Sequence, residues 1–203
     1  MRHARYAAAL MSVAVLLGFA APSSAQSAPR AEFSAGWRLL NVPNAFGSES
    51  ETLPLGWYAD VAGNVNRAMA VVGEISGNYK SFEETQTQFG VTVKTDVDLS
   101  IHTFLGGVRF NARQNPAFTP YVQAMFGLAR GSADAEIQTT VAGRTTSFKD
   151  SESDSDFAFD AGGGVNINVS DNFAVRVGAG YLRIGGSDGG NSFRFSAGVV
   201  VPF

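Results

Sequence analysis

The 203-residue chain contains no cysteine, which excludes a disulfide framework and any thiolate-ligated metal centre. Charge is scarce as well: Asp, Glu, Lys and Arg make up 16% of the residues, and histidine occurs only twice. Beyond the first twenty or so positions no apolar run is long enough for a membrane-crossing helix, so that route into a bilayer is closed. The excess of acids over bases argues against a nucleic-acid partner. None of these absences closes the other membrane route, a sheet rolled into a barrel whose strands are apolar on one side only. The abundant residues suit that route: 23 Gly and 16 Phe are scattered through the chain. Gly is a poor helix former and Phe a good strand former.

The amino-terminal stretch MRHARYAAALMSVAVLLGFAAPSSAQ carries Arg2 and Arg5, then an apolar run from about Ala7 to Ala21, then small residues at Ser23 and Ala25. This is the layout of a secretory signal peptide. We therefore expect residues 1–25 to be a leader cut after Ala25 and residues 26–203 to form one domain. A retained anchor is the alternative, but the run falls short of the ~20 residues a spanning helix needs. Losing Arg2 and Arg5 leaves thirteen bases against eighteen acids, a mature formal charge of −5.

Eight segments of the mature chain alternate with a period of two, the signature of half-apolar strands. They lie near residues 32–40, 55–64, 68–80, 97–110, 119–130, 156–168, 173–184 and 193–203. The connections NVNR, NARQNPA and VSDN are short and rich in Asn, Asp and Pro, as tight turns require. Between them run NVPNAFGSESETLP, SFEETQTQFGVTVKTD, GSADAEIQTTVAGRTTSFKDSESDS and IGGSDGGN, read as polar loops. Alternation of long and short connections is the sidedness of an outer-membrane barrel, with short turns in the periplasm and long loops outside.

Each strand sorts into two faces. In LGWYADVAGNV, Leu55, Trp57, Ala59 and Val61 oppose Gly56, Tyr58, Asp60 and Ala62, and the final stretch FRFSAGVVVPF sets Phe193, Phe195, Ala197, Val199, Val201 and Phe203 against Arg194, Ser196 and Gly198. A soluble lipocalin-like carrier would turn the apolar set inward, whereas a membrane barrel turns it outward to lipid. Two features favour the membrane assignment. The polar sets are Gly-rich, as the interior of a narrow eight-stranded barrel must be. They also balance charge, with Asp60, Glu74 and Asp160 against Arg176 and Arg194, groups able to pair across a lumen where a lone charge would be costly. Aromatics of the outward sets near strand ends, Trp37, Trp57, Tyr79, Tyr181 and Phe193 among them, fit the belts found at membrane interfaces. One strand, DVDLSIHTFLGGVRF, leaves two phases open. Either Leu99, Ile101 and Leu105 face outward, with Arg109 beside them, or Phe104, Val108 and Phe110 do, with Asp98 and His102; a bulge near Thr103 would switch between them.

The stretches GWYADVAGNVNRAMAVVGEISGNY, FLGGVRFN followed by TPYVQAMFGLARGSA, and FRFSAGVVVPF resemble small outer-membrane β-barrels of the OmpA-like and OmpX-like type. The resemblance implies an all-β, eight-stranded, antiparallel up-and-down transmembrane barrel in the Gram-negative outer membrane. It implies a structural or interaction role, with no peptidoglycan-binding domain. It also implies that Phe193, Phe195, Val199, Val201 and Phe203 are the signal read by the outer-membrane assembly machinery. The partners then expected are that machinery, outer-membrane lipid and an unidentified extracellular contact, with the barrel itself a monomer.

Catalysis is not expected. His102 and Ser100 share one strand face and invite comparison with barrel enzymes that trim lipid A, but no carboxylate partner is assignable. The alternating acids Asp150, Glu152, Asp154 and Asp156 are oxygen ligands of the kind calcium takes, yet the glycine turn and distal Glu of a calcium loop are missing, so a solvated acidic loop is expected. Neither metal nor cofactor is predicted. A general diffusion porin is disfavoured because an aqueous channel needs many more strands.

Overall fold

Alternating side chains with tight Asn-rich turns build nine antiparallel strands among the described residues. They are β1 (Ala31–Val42), β2 (Glu51–Leu53), β3 (Leu55–Asn64), β4 (Met69–Gln88), β5 (Val91–Asn111), β6 (Phe118–Val141), β7 (Arg144–Ser170), β8 (Phe173–Ile184) and β9 (Asn191–Pro202). The structure is a computed structural model and describes residues 29–43, 50–89, 91–115, 117–141, 144–186 and 189–203. The expected leader, residues 1–25, lies outside the described residues. No described helix is long and apolar enough to cross a membrane, which says nothing of a barrel.

Eight of the strands form a closed ring in chain order, sealed where β9 pairs with β1 from Glu32↔Pro202 to Asn41↔Phe193. Ala31 and Phe203 exchange both backbone hydrogen bonds at 2.9 Å, so the last residue is part of the seam. The short β2 continues the line of β3 beyond Pro54 and pairs with the upper end of β1 at Leu40↔Leu53. Proline has no N–H to give the ladder, and its carbonyl instead accepts the Trp37 indole N–H at 2.8 Å. At the opposite end the Asn66 side chain accepts the backbone N–H groups of Ala68 and Met69, and Asn115 accepts that of Ala117. These Asx turns explain why Asn recurs in the short connections.

The apolar set faces outward. Phe33, Trp37, Val61, Ile75, Val122, Phe126, Phe157, Val177 and Phe195 are all exposed, while the intervening Tyr58, Asp60, Glu74, Asp160 and Arg176 are buried within the ring. An exposed belt of this size is untenable in water and natural in lipid. The open question of β5 is resolved without a bulge. Its register with β4 and β6 runs unbroken through Thr103, turning Phe104, Val108 and Phe110 outward and burying Leu105 and Arg109.

Strand length is where the structure departs from expectation. The segments read as two long polar loops, with the acidic run KDSESDSD among them, are strands: β4 continues to Gln88, β5 begins at Val91, β6 reaches Val141 and β7 begins at Arg144. Neighbours β8, β9, β1 and β3 stop at the mouth. The four long strands therefore rise beyond the ring as a free-standing sheet, here called the fin, of roughly a dozen residues or ~40 Å along the strand at ~3.3 Å each. Thr and Ser tolerate extended backbone, and paired neighbours in continuous register supply the hydrogen bonds that a loop would lack.

The fin contributes nothing to ring closure, so it should be separable. Deleting residues 82–97 and 135–150 and closing each gap with Asn-Gly keeps the register row Ser81↔Asp98↔Asp134↔Ser151 intact and supplies a turn matched to strand twist. The shortened chain is expected to keep heat-modifiable gel migration, with a Tm within a few degrees of the parent. Loss of the folded band would make the fin part of the barrel's stability.

Candidate functional site

The interior of the ring is built from two stacked ion clusters. Near the periplasmic end, Asp60 on β3 is shared by Arg176 on β8 at 2.8 Å and Arg109 on β5 at 3.2 Å. Arg176 also lies 3.6 Å from Glu32 on β1, which pairs with Arg113 of the β5–β6 turn. In the upper cluster Arg38 on β1 forms a two-pronged pair with Glu74 on β4 at 2.5 and 2.9 Å. Arg194 on β9 reaches Glu74 at 3.4 Å and Asp160 on β7 at 2.6 Å. Ser34 joins the tiers, donating to the Tyr58 hydroxyl and accepting from Arg176.

All five charges expected in the lumen, Asp60, Glu74, Asp160, Arg176 and Arg194, lie in these clusters and are 1–4% exposed. Sequence reasoning missed Arg38, Arg109 and Glu32, which bring the buried ring charges to four of each sign. Neutrality is what a low-dielectric interior demands.

Two tyrosines carry the guanidiniums. The Arg38 guanidinium sits 4.6 Å from the Tyr58 ring centroid, and Tyr121 lies 5.1 and 5.0 Å from Arg109 and Arg176, cation–π distances. Each tyrosine points at inward glycines two strands away around the ring. A Cβ on Gly198 would meet the Tyr58 hydroxyl at 2.5 Å, and one on Gly178 the Tyr121 hydroxyl at the same distance. The glycines of β7, β8 and β9 thus leave the volume that Tyr58 and Tyr121 fill.

Among the clusters little free space remains, although a hollow of about 780 Å³ opens below them at the periplasmic mouth. A cavity of about 20 Å³ is lined by Arg38, Asp60, Glu74, Tyr121, Asp160 and Arg194, room for about one water. Toward the extracellular end, apolar side chains that include Leu40, Leu53, Leu105 and Leu182 form a buried cluster, with Ile101 and Ile184 packed against it.

The fin above is chemically two-faced. Because its registers are unbroken, its inner face continues the lumen parity and its outer face the lipid parity. On the outer face Lys94 pairs with Asp96 and Glu83, and Lys149 with Glu136. The hydrogen bond to Asp96 raises the Lys94 ammonium above its usual pKa, and the Lys149 hydrogen bond lowers the Glu136 carboxyl. The inner face carries Phe82 on β4, Val97, Leu99 and Ile101 on β5, Ile137 on β6, and Phe148 on β7. The same face of β7 then presents Asp150, Glu152, Asp154 and Asp156.

His102 faces outward, its Nε2 3.0 Å from the Tyr79 hydroxyl, which accepts the Trp57 indole N–H at 3.2 Å. These side chains lie around Gly77 one row above the belt residues Ile75 and Phe104, an interfacial aromatic position. The segment considered as an assembly signal holds Phe193, Phe195, Val199 and Val201 on the outer face of β9 and Phe203 just after it, all exposed.

A family model described as "Outer membrane protein beta-barrel domain" matches residues 11–203. No curated protein sequence matches the chain. Among solved structures, Ail, the attachment invasion locus protein of Yersinia pestis, is similar over 87% of this chain and 99% of its own, at 19% identity and TM-score 0.57. Ail in complex with the heparin analogue sucrose octasulfate covers the same shares at 18% identity and TM-score 0.54. Neisserial surface protein A is similar over 88% of this chain and 100% of its own, at 15% identity and TM-score 0.54. At these identities the likeness shows the fold.

Proposed function

The chain belongs to the outer membrane protein β-barrel domain family and resides in the bacterial outer membrane; from that premise we propose that it is a closed, non-catalytic barrel whose work is to hold a rigid extracellular contact surface. The observation that carries this reading is the combination of a lumen filled at the level of its ion clusters, with about 20 Å³ free among them, and four strands continuing past it. Such a ring offers no aqueous path, while a sheet standing on it costs little entropy to order at the moment of contact. The buried charges Asp60, Glu74, Asp160, Arg176 and Arg194, with Arg38, Arg109 and Glu32, act as a neutral plug. The outward stripe Phe193, Phe195, Val199, Val201 and Phe203 serves the assembly machinery, and the ring works as a monomer because it has no open edge. Binding of a polyanion such as the sulfated sugar held by Ail does not carry over, because the fin bears ten acids against five bases over residues 80–98 and 130–156.

Planar-bilayer recording tests the plug. Purified protein is expected to give no steady conductance above the lipid baseline. A large, persistent open state would replace this reading with that of a channel.

A further inference from the structure

Resting on the contact-surface reading, we propose that the inner face of the fin is the docking site for a cationic amphipathic polypeptide segment, one that sets alternating basic and apolar side chains against it. The first ground is the unpartnered apolar face. Phe82, Val97, Leu99, Ile137 and Phe148 stand above the barrel mouth, with Ile137 and Phe148 exposed at 41% and 66%. No lipid reaches them, because they continue the lumen side of the sheet. Ile101 joins this face to the apolar cluster closing the lumen, so the surface is continuous down to the mouth.

The occupant follows from charge. The mature chain's formal charge of −5 resides in the fin, since residues 80–98 and 130–156 hold ten acids and five bases while the remaining mature residues balance at eight of each. Along β7 the acids all lie on one side. Along β7, residues 147, 149, 151, 153 and 155 of the outer face are four serines and Lys149, whereas 150, 152, 154 and 156 of the inner face are all acids. Among the described residues no ion pair involves Asp150, Glu152, Asp154 or Asp156, although Lys80, Lys94 and Lys149 of the fin are all paired. Charges on a free strand often guard against edge-to-edge aggregation; that role asks for charge on either face and does not account for the strict alternation. Four unpaired carboxylates at roughly 6.6 Å intervals beside an apolar strip are complementary to a chain with basic groups at every second residue.

The test uses the full-length mature protein in phosphatidylcholine nanodiscs and a short fluorescein-labelled peptide of alternating lysine and valine, with empty nanodiscs as baseline. Anisotropy is expected to report saturable binding that weakens as salt rises toward physiological strength, where the Debye length is about 8 Å. The variant D150N/E152Q/D154N/D156N should bind at least about tenfold more weakly, as should V97S/I137S. Both variants must retain heat-modifiable migration. Absence of saturable binding to the parent, equal binding by the neutralised variant, or equal affinity for a lysine–serine or glutamate–valine peptide would overturn the proposal. A separate arm keeps the two readings apart: Thr87→Cys at the fin tip is expected to react with an impermeant maleimide on intact cells. Failure to label would remove the contact-surface reading itself, while labelling without peptide binding would remove only the cationic partner.

Discussion

Replacing Glu74 with alanine is expected to destabilise the folded barrel by about 3–5 kcal/mol, the cost of stripping a buried charge of its partner. Glu74 is 3% exposed and serves two guanidiniums, Arg38 at 2.5 Å and Arg194 at 3.4 Å. Without it Arg194 keeps Asp160 at 2.6 Å, but the direct partner left to Arg38 is the face of Tyr58, and a desolvated cation–π contact contributes about 2 kcal/mol or somewhat more, less than loss of the carboxylate costs. Glu74→Gln restores the volume and not the charge, so it should recover little. The double replacement Glu74→Leu with Arg38→Leu removes both members of the main pair and should lie closer to the parent than either single change, because uncharged packing can replace a buried ion pair. Urea unfolding in detergent micelles, followed by tryptophan fluorescence, measures all four proteins. A Glu74→Ala barrel within about 0.5 kcal/mol of the parent would mean that water reaches Arg38, and the lumen could no longer be regarded as dry.

The ring was legible because a period of two survives even where individual residues are ambiguous. Trp57 against Tyr58 and Phe159 against Asp160 announce opposite faces whatever the register, and lipid demands a nearly unbroken apolar set on one of them. Partner choice was not legible. Arg109 sits in a strand whose two phases were equally apolar until pairing with β4 and β6 fixed one. Arg38 and Glu32 lie in β1, and the oppositely charged neighbours that neutralise them, Glu74 and Arg113, come from β4 and from the turn after β5. Pairing across a lumen joins residues 36 and 81 positions apart, and no local signal encodes that.

The fin failed for a different reason. Val91 and Val93 alternate with Thr92 and Lys94 ahead of the strand expected from residue 97, a weak strand signal inside a stretch whose polar content resembles that of a solvated loop. A strand standing above a membrane with water on its outer side needs only one weakly apolar face, and its hydrogen bonds come from neighbours in unbroken register. Reading KDSESDSD as a solvated acidic loop was a related error: its alternation is the pleat of β7.

Gly36→Val is expected to abolish ring closure altogether. Gly36 lies opposite Gly198 in the β1–β9 register, on the crowded inner face of the seam. A Cβ there would collide with the Ala197 carbonyl oxygen and the Gly198 Cα, which are backbone atoms and cannot swing aside as a side chain would. Relief requires β1 and β9 to separate, and their ladder is the contact that makes the sheet a barrel. Opening it leaves two unpaired edges in a solvent that offers no hydrogen bonds, so the cost far exceeds the 1–3 kcal/mol of ordinary overpacking. The predicted result is a chain that shows only the unfolded band in an unheated gel and fails to accumulate in the outer membrane. Gly63→Val supplies the control, because a Cβ at Gly63 meets nothing within 4 Å and a β-branched residue suits a strand facing lipid. If the two substitutions behave alike, glycine at the seam is incidental; if only Gly36→Val fails, close backbone approach at that pair is what allows so narrow a barrel to shut around its arginines.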